Sequence, residues 1–73
     1  MDFFQLRAAM IGAVAVEMTH PVYRTTIRGK ITAIIYRRNE KGKITCSAEI
    51  SETGRNSVVI CDPERIKIKE RNQ

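Results

Sequence analysis

Between Lys43 and Ile50 the chain alternates without a break: Ile44, Cys46, Ala48 and Ile50 are apolar, while Lys43, Thr45, Ser47 and Glu49 are polar. A period of two sends successive side chains to opposite faces of an extended backbone, so this segment predicts a strand with one core face and one wet face. Other segments carry the same signature less cleanly. Ile31, Ala33 and Ile35 alternate with Lys30, Thr32, Ile34 and Tyr36, and Ile66 and Ile68 alternate with Arg65, Lys67 and Lys69 in an edge-like strand. Ser57 to Cys61 is a short β-branched run that reads as buried. Polar turns separate these runs: RRNEKG over 37–42, ETGRN over 52–56, and Asp62–Pro63.

Ahead of Pro21 the period changes. Asp2 is a natural N-cap, and Phe3, Leu6 and Met10, with Phe4, Arg7 and Ile11, recur at the spacing of three and four that makes an apolar helical stripe. Gly12 falls where a C′ glycine would end that helix. Val14, Val16 and Met18 then alternate with Ala13, Ala15 and Glu17, which favours a strand; a helix continuing to Met18 is the alternative. The expected architecture is α+β, mostly β: an N-terminal helix over 1–12, a five-stranded, strongly bent antiparallel sheet or small barrel over 13–69, and a tail over 70–73, in one domain. A chain of 73 residues has no room for a second core. Domains this small often gain stability from a second subunit, so a homodimer is one expectation.

Charge narrows the partner. Thirteen Lys and Arg against eight Asp and Glu leave a net charge of +5, which favours nucleic acid or an acidic protein surface. A plain solvated face would produce the same bias. Two cysteines do not make the dense framework of a small secreted domain, and no run approaches the roughly 20 apolar residues of a spanning helix. The expected setting is cytoplasmic, with no membrane partner.

The cations cluster. Arg24, Arg28, Lys30, Arg37, Arg38, Lys41 and Lys43 fall in the first long strand and its hairpin, and Tyr23 and Tyr36 interrupt them. An aromatic ring among cations can stack on a base while the cations hold phosphates, which makes these cations and Tyr36 the candidate nucleic-acid contacts. Phe3, Phe4, Leu6 and Met10 form a second candidate surface, for a protein partner, because they are more large apolar side chains than a short cover helix must bury.

Catalytic and metal chemistry have little to build on. His20 is the single histidine and stands beside Pro21 in a turn, so no nucleophile–base pair is evident and no catalytic residue is expected. Cys46, Cys61, His20 and Asp62 lack the close spacing of a metal site, and Cys46 falls on the apolar parity of its strand, so no metal is expected. The four glycines are isolated, so no phosphate-cradling loop and no cofactor is implied.

Residues 20–38, HPVYRTTIRGKITAIIYRR, resemble the opening of small SH3-like barrels of the KOW and CarD type, and residues 57–68, SVVICDPERIKI, are similar to the way such barrels close. The resemblance implies an SH3-like barrel. RTTIR stands where that family has a compact glycine turn, so the family's partners are not carried over. In size and style, a short helix before a basic mini-barrel, the chain also resembles small accessory proteins of phages and mobile elements. Several of those block host defence nucleases, CRISPR effectors among them, and this implies an anti-CRISPR type of protein-binding inhibitor as the alternative function.

Overall fold

The computed structural model describes residues 1–69; the tail expected at 70–73 lies outside them. Helix α1 (Phe3–Ile11) precedes strands β1 (Ala15–Thr19), β2 (Thr26–Arg38), β3 (Ile44–Glu52), β4 (Val58–Cys61) and β5 (Ile66–Ile68), with a 3-10 turn at Pro63–Arg65 before the last. The strands form one antiparallel sheet in the order β4-β3-β2-β1-β5, so the fold is mostly-β α+β. No helix among the described residues is long and apolar enough to cross a membrane.

Asp2 begins α1 with a capping box: its carboxylate accepts from Gln5 N at 2.8 Å, and the Gln5 side chain accepts from Asp2 N at 2.9 Å. The helix end differs from the sequence expectation. Gly12 keeps helical dihedrals and Ala13 takes the left-handed position at φ 49°. Ala13 N donates to Met10 O and Val14 N to Ala9 O, the two bonds of a Schellman motif, which places C′ one residue later than the glycine suggested. The stripe is also narrower than its spacing implied. Leu6 and Ala9 are buried and Met10 is half-buried, whereas Phe4 is 78% and Ile11 70% exposed.

The strand at Ala15–Thr19 resolves the helix-or-strand choice in favour of strand, with Val16 and Met18 buried as the alternation required. β2 departs from its predicted faces. Ile31 pairs with Ile50, but both Thr32 and Ala33 stand against Glu49, a bulge sealed by the Thr32 hydroxyl donating to Glu49 Oε1 at 2.9 Å. One extra residue reverses parity, so Ile34 and Tyr36 continue the core face opposite Ala48 and Cys46, while Ala33 and Ile35 turn outward. Just before the bulge, a Cβ on Gly29 would lie 2.0 Å from Ser51 O, so only glycine permits this approach of β2 to β3. Together the bulge and the glycine bend the sheet around Leu6, Ala9, Val16, Met18, Ile31, Ala48, Ile50 and Ile66.

The β-branched run at Val58–Cys61 was expected to be buried, and it is an edge. β4 pairs with β3 alone, its Val59 and Cys61 lie against the core, and Val58 and Ile60 are more than half exposed. Ile66–Ile68 is the opposite edge, as its Lys and Arg neighbours suggested.

Candidate nucleic-acid interface

β2 is thirteen residues long, and at about 3.3 Å per residue its ends stand roughly 40 Å apart. The seven cations read from sequence as one cluster are therefore divided. Arg24, Arg28 and Lys30 belong to the end that leaves β1; Arg37, Arg38, Lys41 and Lys43 belong to the hairpin into β3. Arg37 and Arg38 are the last two residues of the strand, not loop residues.

The hairpin end is built locally. Asn39 O accepts from Gly42 N at 3.0 Å, closing a tight turn, and Gly42 takes φ 79°. A type I turn followed by a left-handed residue is a preferred way to join two strands, and glycine meets its last requirement without strain. The Asn39 carboxamide oxygen accepts from Lys41 N at 3.0 Å and Lys43 N at 2.9 Å, so both lysines leave a held backbone. The register alternates the two arginines: Arg38 pairs with Ile44 on the core parity and Arg37 with Thr45 on the outer parity. Among the described residues none of these four cations is in an ion pair, and Glu40 is the one carboxylate in 37–43.

Beside this hairpin the start of α1 supplies aromatic surface. Phe3 lies with its ring centroid 5.9 Å from that of Tyr36, and Phe4 continues the row at 5.7 Å from Phe3. Tyr36 is 54% exposed, Phe3 43% and Phe4 78%, so the row presents stacking faces to solvent. Desolvation first, and then the neighbouring Cys46 thiol, push the Tyr36 phenol above its ordinary value. The sequence divided Phe3 and Phe4 from Tyr36 between two candidate surfaces, and the helix brings them together. Leu6 and Met10, from the same apolar group, are instead spent on the core and its margin.

At the other end of β2 one of the three cations is paired. Arg28 Nε lies 3.4 Å from Glu17 Oε2, and Glu17 also faces Lys67 across the β1–β5 ladder. Lys30 stands on the same outer face, opposite Ala15 and Ser51. Arg24 occupies a left-handed position, φ 55°, in a turn organised by His20, whose Nδ1 accepts from Val22 N at 3.1 Å and Tyr23 N at 3.2 Å. His20 therefore holds a turn and stacks on Tyr23 at 4.7 Å. This leaves Tyr23, 77% exposed, as an aromatic beside Arg24 that the candidate set omitted, although its place among the cations was visible in the sequence.

Cys46 and Cys61 are both free, on the core side of adjacent strands. Burial, and then the Asp62 carboxylate, raise the Cys61 thiol against an opposing pull from Arg65, which keeps it in the unreactive thiol form near neutral pH. No cluster of three or more His, Cys, Asp or Glu that could hold a metal occurs among the described residues. The chain matches no family model, no curated protein and no solved structure.

Proposed function

We propose that this protein is a non-catalytic, cytoplasmic binding module that takes single-stranded nucleic acid at the hairpin end of β2. The observation that carries the reading is the row Phe4–Phe3–Tyr36 at the end of β2 that also carries four cations in no ion pair among the described residues. Bases stack on exposed rings whatever their identity, and Arg37, Arg38, Lys41 and Lys43 neutralise the phosphates that flank them. Unstacked bases are required because paired ones cannot reach the rings, so the reading favours single strands over duplex.

The test is binding of a labelled single-stranded oligonucleotide as salt is raised. Four neutralised phosphates give a logarithmic salt slope of about −2.8, so affinity is expected to fall about 50-fold between 50 and 200 mM salt. Absence of binding at 50 mM ends the proposal. The second reading, an accessory protein docking on a host protein through α1, draws on the exposed Phe4 and Ile11. Salt separates the two: apolar docking holds or tightens as salt rises, whereas phosphate neutralisation weakens.

A further inference from the structure

The two edges of the sheet are protected to different degrees. β5 is three residues long, carries Lys67, and is flanked by Arg65 and Lys69; shortness and positive charge are the usual guards against strand addition. β4 has neither a charge nor a proline in Val58–Cys61, and it turns Val58, 57% exposed, and Ile60, 51% exposed, to the outside. A cleft of about 250 Å³ runs beside it, lined by Val59–Asp62 together with Met18, His20, Pro21 and Arg65.

The whole chain is also under-buried. A monomer of 8.3 kDa is expected to expose roughly 4,600 Å². Over all 73 residues this chain exposes 5892 Å², more than that expectation.

We infer that the β4 edge is the interface with a second copy of this chain, the two β4 strands pairing antiparallel about a two-fold axis. Charge favours this pairing. Two copies meeting at β5 would oppose Lys67 to itself, with Arg65 and Lys69 on either side, whereas β4 meets its own copy over four uncharged residues, with Asp62 the one charge next to the strand. The symmetric contact closes on itself as a dimer; a head-to-tail contact of β4 with β5 would instead run on into rings or filaments. The inference is independent of the nucleic-acid reading.

Molar mass by light scattering, on the full chain without nucleic acid and across a concentration series, tests it. The wild type is expected at twice the chain mass. Ile60→Lys, on an outward position that folding leaves exposed, is expected to weaken dimerisation ~100-fold, because the axis brings the two introduced charges together. Lys67→Glu on the opposite edge is expected to leave the mass unchanged. A circular dichroism spectrum unchanged by Ile60→Lys shows that the variant folds; should it not fold, concentration-dependent amide protection of Val58–Cys61 in the wild type carries the same test. A monomer at 100 μM, a mass above two copies, or a dimer broken by Lys67→Glu and not by Ile60→Lys would each overturn the assignment.

Discussion

The two ends of β2 carry similar numbers of cations and differ in what stands beside them. Where β2 leaves β1, Glu17 stands between Arg28 and Lys67 and pairs with Arg28, one of the three cations at that end. Where β2 enters the hairpin, Arg37 and Arg38 stand opposite Thr45 and Ile44, no ion pair forms among the described residues, and the Phe3–Tyr36 pair lies on the parity of Arg38. The difference teaches that a count of cations along a strand does not identify a binding surface. Cross-strand partners decide which charges remain for a ligand, and the register sets those partners.

The largest effect is expected at the joint between the two ends. Gly29→Ala drives a Cβ into Ser51 O, a backbone atom that cannot step aside, and should cost about 3 kcal/mol in urea denaturation, with loss of the bend that orients the hairpin. Full retention of stability would mean that β2 and β3 do not approach as described.

Neutralising the hairpin set to Ala, Arg37, Arg38, Lys41 and Lys43 together, should flatten the salt dependence of oligonucleotide binding and lower affinity at 50 mM salt by roughly 100-fold or more. The matching triple, Arg24, Arg28 and Lys30 to Ala, should cost no more than about threefold, since these residues lie at the far end of β2 from the Phe4–Phe3–Tyr36 row. Equal losses from the two sets would erase the distinction between the ends.

Tyr36→Ala and Phe4→Ala should each weaken binding by about 1–3 kcal/mol and leave the salt slope unaltered, which separates stacking from charge in the same titration. The smallest effect tests the helix that presents Phe3 and Phe4. Ala13→Gly relieves the left-handed alanine at its end and should stabilise the fold by about 0.5–1 kcal/mol in thermal unfolding, with binding unchanged.

Much of the architecture was legible because its determinants are local. The alternation at Ile44–Ile50, the Asp2 cap, the turn residues Asn39–Gly42 and the bend at Asp62–Pro63 act within a few positions of themselves, and each forms the element it predicted, although Ile44, next to the hairpin, is 59% exposed where the core face was expected. The misreadings share a cause as well. β2 looked like a regular strand because no side chain marks a bulge in advance, and the extra residue at Thr32–Ala33 moved Ile34 and Tyr36 to the opposite face. β4 looked buried because a β-branched run reports preference for a sheet and not position within it, and position depends on which strands pair.

By itself, then, the sequence determined the succession of one helix and five strands, the helix N-cap and the turn chemistry, and a positive charge concentrated on one strand and its hairpin. All of these follow from backbone preference, side-chain periodicity and composition. Tertiary structure alone decided which cation Glu17 pairs with, that Phe3 and Phe4 lie beside Tyr36, and that Val58–Cys61 forms an uncharged edge. Each of those depends on contacts between residues far apart in the chain, set by strand order, by one bulge and by the packing of α1 on β2, and a linear pattern does not encode them.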